Sequence, residues 1–141
     1  MSNDIATRPD GSPATDHDER IRAALASGGL IDITTTGRRT GQPRRIEIVF
    51  HAIDGGIYIT GMPRRDPRAW LLNLRDDPRL TIHLKGDVAA DLPGTAREIT
   101  DEAERRAILG WVVANAWRQQ DVEAMLRYSP LIEVTLDGVA A

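Results

Sequence analysis

The chain contains no cysteine, which removes disulfides, thiolate metal sites and a thiol nucleophile at one stroke. Lysine is almost absent too, with Lys85 standing alone against seventeen arginines. Aromatic residues make up 4% of the chain and include a single phenylalanine, so a base-stacking platform for nucleic acid has little to build on. No apolar run approaches the roughly 20 residues that cross a bilayer, and the N-terminus lacks the charged-then-apolar order of a secretory signal. A cytoplasmic chain without a membrane span is expected. The G-x-S-x-G pattern is missing and no serine has a base beside it, so nucleophilic hydrolysis finds no support.

What is present is an ordinary globular mixture, 41% hydrophobic and 28% charged over 141 residues, enough for one domain and one core. The net charge of −3 hides an uneven distribution. Residues 38–79 hold nine arginines (38, 39, 44, 45, 64, 65, 68, 75 and 79) against five acids, a balance of +4, and the remainder is −7. A cationic patch on an acidic chain suits a compact anionic ligand better than a long nucleic acid, which wants a broad basic face.

Residues 1–15 are polar, contain Pro and Gly, and show no apolar period, so a disordered arm is expected ahead of a single domain over 16–141. Asp16, with Glu19 three positions later, opens a short helix whose apolar face is Ile21, Ala24 and Leu25. Strands are expected over 30–36, 44–53 and 57–61, the last two joined at Asp54-Gly55-Gly56, whose glycines permit positive φ. Trp70, Leu71 and Leu74 predict a helix over 65–76. Strands then follow over 79–84 and 88–99, with a bulge expected at Pro93-Gly94. Asp101 and Glu104 start a helix running to about Trp117, with an apolar stripe wider than one sheet face needs, which suggests a partner subunit or a lid. A short helix is possible in 119–129, and 130–136 is a final strand. The sum is a mainly β (α+β) chain: a six-stranded antiparallel barrel, closed or partly closed, with two to three peripheral helices.

The segment richest in chemistry is Thr34-Thr35-Thr36-Gly37-Arg38-Arg39-Thr40-Gly41-Gln42-Pro43-Arg44. Two glycines free the backbone to turn, and three guanidiniums fall within seven residues, offering planar forks that match phosphate and carboxylate oxygens. The spacing is not that of a P-loop, and this loop joins two strands. A solvated hairpin carrying incidental arginines is the competing reading.

The run TTTGRRTGQPR, followed by WLLNLRDDPRLTIHL, resembles the deazaflavin-dependent nitroreductase family of split-barrel oxidoreductases, which use reduced coenzyme F420. The resemblance covers residues 30–100 well and implies a split β-barrel related to pyridoxamine-phosphate-oxidase-like proteins, and a homodimer with ligand at its interface. It implies that Gly37, Arg38, Arg39 and Arg44 grip the cofactor's phosphate and oligoglutamate tail. Main-chain groups of Ile59, Thr60, Gly61 and Met62 would line the deazaflavin ring, and Trp70 and Asn73 would belong to the helix closing over it. Relatives carry a lysine and a glycine pair after the third strand; here Arg64 or Arg65 would replace that charge. Their tyrosine-rich segment before the last strand is reduced to Trp117 and Tyr128, the residues left to meet a substrate.

The remaining residues add little chemistry. His51 and His83 lie in strands with no third ligand at fixed spacing, so no metal site is expected. Asp76-Asp77 ends a helix rather than forming a catalytic carboxylate pair, and Tyr58 on the third strand could face either way. No side chain stands out as a catalyst. That fits a reductase in which reduced F420, or alternatively FMN, delivers hydride to a small redox acceptor such as a quinone, enone or nitro compound. A non-catalytic binder of a small anionic or lipid-like ligand is the reading from another class.

Overall fold

Asp54 and Gly55 take φ of 49° and 80°, the left-handed pair that a two-residue hairpin loop requires, and this turn sets the register of the first sheet. In a computed structural model, described over residues 16–138, it joins β2 (Pro43–Ile53) to β3 (Gly56–Thr60) with Ile53 opposite Gly56. On the other side of β2 lies β1 (Gly29–Thr36), paired from Gly29↔Phe50 to Thr36↔Pro43. With β4 (Arg79–Lys85), β5 (Ala89–Glu98) and β6 (Leu131–Leu136), the strands close in the order β1-β2-β3-β6-β5-β4, every pair antiparallel. The expected six-stranded barrel is what forms. The arm expected over residues 1–15 lies outside the described residues.

Alternation fills the barrel. Ile31 and Ile33 of β1, Ile57 and Ile59 of β3, Leu80, Ile82 and Leu84 of β4, and Ile132 and Val134 of β6 point inward and are buried. Each such side chain contributes about 1.5–3 kcal/mol by leaving water. α1 (Asp16–Ser27) adds Ile21 to this cluster, and α2 (Ala69–Asp76) adds Trp70, Leu71 and Leu74.

A second core lies between the strands and α3 (Glu102–Asn115) with α4 (Val122–Tyr128): Ile53, Ile99, Ile108, Leu109, Val112, Met125 and Leu131. The wide stripe of α3 is therefore spent largely within the chain, on α4 and the strands, although Trp111 stays 37% exposed. Both helices begin as capping chemistry dictates. Asp101 accepts from the Glu104 N–H at 2.9 Å, and Asp121 from the Ala124 N–H at 3.3 Å.

Three expectations are corrected. The helices number four among the described residues, because the Asp121 cap makes 122–128 a helix in its own right. α2 starts at Ala69 rather than at 65: Pro67 disfavours helical backbone at Asp66, and Arg68 precedes the first turn with extended backbone. Pro93-Gly94 makes no bulge. The β4–β5 register runs unbroken through Thr81↔Pro93 and Leu80↔Gly94. Gly94 is needed for a close approach, since a Cβ there would stand 2.7 Å from the Thr135 carbonyl oxygen. Pro93 costs no bond to β4, because its polar face is turned to β6: its carbonyl accepts from the Asp137 N–H at 2.9 Å, and proline lacks the N–H for the return bond just where the β6 pairing ends at Leu136. Gly94→Ala should cost about 1–3 kcal/mol of stability, because a backbone oxygen cannot swing aside as a side chain does; a urea-unfolding midpoint reads this directly.

Candidate functional site

The loop over residues 37–42 is folded by its own backbone. The Gly41 N–H donates to the Gly37 carbonyl at 2.7 Å and the Gly37 N–H to the Gln42 carbonyl at 2.8 Å. Gly41 takes φ +71°, and a Cβ on Gly37 would lie 2.9 Å from Thr40 Oγ1 and 3.1 Å from the Gln42 carbonyl oxygen. Both glycines are therefore demanded by the turn.

α2 fixes this loop in space. Asn73, 6% exposed, accepts the Arg38 N–H at 3.0 Å through Oδ1 and donates from Nδ2 to Thr35 Oγ1 at 3.0 Å. Between loop and helix lies a crevice of about 430 Å³. Arg38, Arg39 and Arg44 line it together with Ile46, Ala69 and Trp70. Arg44 leans on Thr40 Oγ1 at 3.5 Å. Arg38 and Arg39 make no side-chain hydrogen bond or ion pair among the described residues. Arg45, one residue beyond Arg44, behaves differently. It is bound to Asp32 at 2.9 Å, and Asp32 also holds Lys85 at 2.7 Å. The Lys85 bond first, then the Arg45 bond, keep the Asp32 carboxyl below its ordinary range. The crevice arginines have no such neighbour.

The β3–α2 segment runs along a second opening. Ile59 is fully buried, and Thr60 is 2% exposed with its hydroxyl donated to the Pro130 carbonyl, so neither reaches the surface and neither lines the crevice or the cleft. Met62 is 45% exposed. Gly61 leaves room for the Arg68 guanidinium, which a Cβ would approach to 2.8 Å, and Arg68 donates to the Met62 carbonyl at 2.7 Å. Arg64 and Arg65 do not join the crevice beside Arg38. With Arg68 and Tyr128 they line a separate cleft of about 360 Å³.

The residue that organises this second cleft carries no motif that sequence reasoning could single out. Arg105 of α3 is half-buried and donates to four carbonyls: Ile99 at 3.1 Å, Met125 at 3.3 Å, Leu126 at 3.1 Å and Ser129 at 2.8 Å. Burial pulls its pKa below the ordinary guanidinium value, and burial, then the Arg64 charge, does the same to Arg68. Only local helix pattern marks Arg105 in the sequence; its partners lie up to 24 residues away.

Trp117 lines neither opening. It packs edge-on against His51, ring centroids 5.1 Å apart, in the second core. Tyr58 faces outward and donates to Glu133 Oε2 at 3.1 Å. His83 bridges Thr34 Oγ1 and Asp91 Oδ1, each at 2.7 Å. His51 is 5% exposed and its Nε2 is buried without a partner. Burial lowers the pKa of that ring, so the fold holds it neutral while the unfolded chain protonates near the ordinary histidine value of about 6.5. Below that value the unfolded chain binds more protons, so this contribution is complete above about pH 6.5 and is lost as pH falls. His51→Phe should flatten the decline in the urea midpoint between about pH 7.5 and about pH 5.5.

Comparison with known proteins adds family and fold. The family model described as F420H(2)-dependent quinone reductase matches residues 15–134. A conserved hypothetical protein of Mycobacterium tuberculosis is 18% identical over 96% of this chain and 84% of its own, with a TM-score of 0.65. An F420-H2 dependent reductase (FDR-A) is 22% identical over 76% of this chain and 94% of its own, TM-score 0.54. An FAD-binding protein of Mesorhizobium loti is 15% identical over 82% and 86%, TM-score 0.59. At these identities the three solved structures share the barrel.

Proposed function

The chain belongs to the F420H(2)-dependent quinone reductase family, oxidoreductases whose cofactor is the deazaflavin coenzyme F420, and on that premise we propose that the crevice between the 37–42 loop and α2 holds the cofactor's anionic tail. The observation that carries this is the set of guanidiniums of Arg38, Arg39 and Arg44 lining one crevice with no carboxylate paired to them among the described residues. The residues fit the group chemically. Arginine forks bind phosphate and carboxylate oxygens, and each charged hydrogen bond is worth about 1.5–3 kcal/mol.

Division of labour among the chain's own residues follows. Gly37 keeps the loop backbone free of a Cβ, and Asn73 holds the Arg38 main chain at a fixed height above α2. Trp70, 7% exposed, gives the crevice a rigid apolar lining beside Ala69 and Ile46. Of the 59–62 stretch, Gly61 and Met62 reach the surface and would lie along the ring, with Ile59 and Thr60 buried behind them. When bound, the reduced cofactor supplies a hydride that, with one proton, reduces the acceptor by two electrons. The protein's part is positioning and charge balance. The acceptor is an electron-poor quinone, enone or nitro compound, and the active unit is a cytoplasmic homodimer.

Titration with coenzyme F420, followed by tryptophan fluorescence, tests the reading. Saturable binding is expected, and Arg38→Ala with Arg44→Ala should weaken it about tenfold or more, a loss of about 1.4 kcal/mol. Absence of binding, or affinity unmoved by the double change, would end it.

A further inference from the structure

α2 separates two openings. Ala69, Trp70 and Asn73 face the crevice of the 37–42 loop, whereas Arg68, Leu71 and Arg75, three and four positions apart, line the second cleft on another face of the same helix. That second cleft is the more cationic of the two. Six arginines line it (64, 65, 68, 75, 105 and 127) against the two carboxylates of Asp66 and Glu98.

Little of this charge is neutralised. Arg75 closes its fork on Glu98 with two bonds of 2.8 Å, which occupies the better-placed carboxylate. Arg68 and Arg105 donate only to carbonyl oxygens, dipoles that solvate a cation without cancelling it. Arg64, Arg65 and Arg127 have no side-chain partner among the described residues. Arg68 and Arg105 are partly desolvated, Arg105 with the Glu98 charge nearby, while Arg64, Arg65 and Arg127 are exposed and their charge is open to an arriving anion. Ser129, 5% exposed, adds a buried hydroxyl without a partner to the wall. The volume, about 360 Å³, suits a small organic molecule.

We propose that this cleft seats the electron acceptor and that the acceptor carries an anionic group, a carboxylate or sulfonate, paired with Arg127 and Arg64. The inference rests on the functional reading above, in which Gly61 and Met62 would lie along the cofactor ring. Arg68 ties the two places together, since it lines the cleft and donates to the Met62 carbonyl. An acceptor held there by its charge lies beside the ring segment, on the side of α2 away from the tail crevice. Uncharged quinones would find the same volume but no counter-charge.

Calorimetric titration of the chain loaded with oxidised F420 separates the outcomes. The probes are a naphthoquinone sulfonate and menadione, an uncharged naphthoquinone. The sulfonate should bind about tenfold or more tighter than menadione at low salt. Arg127→Gln should shrink that ratio to about threefold or less, and Arg127→Lys should keep most of it. Equal affinity of the two probes, or a ratio untouched by Arg127→Gln and by Arg64→Gln with Arg127→Gln, overturns the proposal. A matching loss of F420 affinity in Arg127→Gln overturns it as well, since the cleft would then be a seat for the cofactor's own carboxylates. If the chain binds no F420 the functional reading fails first, and the two probes titrated onto the cofactor-free chain still measure the ratio.

Discussion

Arg105→Met should lower the unfolding free energy by about 2–4 kcal/mol, since each part-buried carbonyl left without a donor costs about 1–3 kcal/mol. The guanidinium reaches the β5–α3 junction at Ile99 and three carbonyls around the end of α4, at Met125, Leu126 and Ser129. The last turn of a helix leaves carbonyls without intrahelical partners, and a cation there also meets the negative end of the helix dipole. Methionine matches the apolar stem and supplies no donor, so the Ile99, Leu126 and Ser129 oxygens lose this donor, the Met125 oxygen keeps the Ser129 N–H at 2.9 Å, and the second core stays filled. Lysine would retain the charge but not the planar fork that serves four acceptors at once, so Arg105→Lys should recover less than half of the loss. Urea midpoints at low and high salt distinguish the cause. A network of hydrogen bonds to carbonyls should survive about 1 M salt, whereas a surface ion pair should not. The Arg97 pairs with Glu104 and Glu133 are the built-in control, since Arg97 is about half exposed and both contacts lie at the surface.

The reach of Arg105 marks the boundary of what the sequence discloses. Strand alternation and the Asp54-Gly55 turn are local, so β1 to β3 could be read off with their facing: Ile31 and Ile33 in, Asp32 and Thr34 out. The caps at Asp101 and the loop glycines at 37 and 41 are local too, and each does what its residue type allows. Where the reading failed, the deciding contact came from elsewhere in the chain. Gly94 looked like a bulge because a glycine after a proline interrupts a strand pattern; the reason for it is the Thr135 carbonyl on the neighbouring strand. The apolar breadth of α3 looked like a surface awaiting a partner, but much of it is taken up by α4, a helix too short to register strongly in periodicity. The split of the arginines into two openings was equally hidden. Arg64 and Arg65 are close in sequence to the ring segment, and only the position of α2 shows that they line a different cavity from Arg38.

Asn73→Leu should damage both stability and cofactor affinity, and the two losses have one origin. Among the described residues the side-chain amide is the hydrogen-bonded link between α2 and the loop's main chain: it accepts the Arg38 N–H and donates to the Thr35 hydroxyl, both at 3.0 Å. Thr35 is 2% exposed, so its hydroxyl cannot simply turn to water when the amide is gone. Each polar group stranded in this way costs about 1–3 kcal/mol, so a total of about 2–4 kcal/mol is expected from the urea midpoint. Leucine fills a similar volume, which keeps a cavity from adding to the figure. Freed from α2, the Arg38 backbone no longer sets the guanidinium over the crevice, and F420 should bind about tenfold or more weakly. Asn73 acts here as a positioning residue, and Asn73→Asp tells positioning from mere packing. The carboxylate can still accept from the Arg38 N–H and from the Thr35 hydroxyl, so stability should return in large part. Its negative charge beside the arginines would at the same time compete with the anionic tail, so affinity should stay low and fall further at low salt. A packing role alone predicts that stability and affinity recover together, and that result would remove Asn73 from the site.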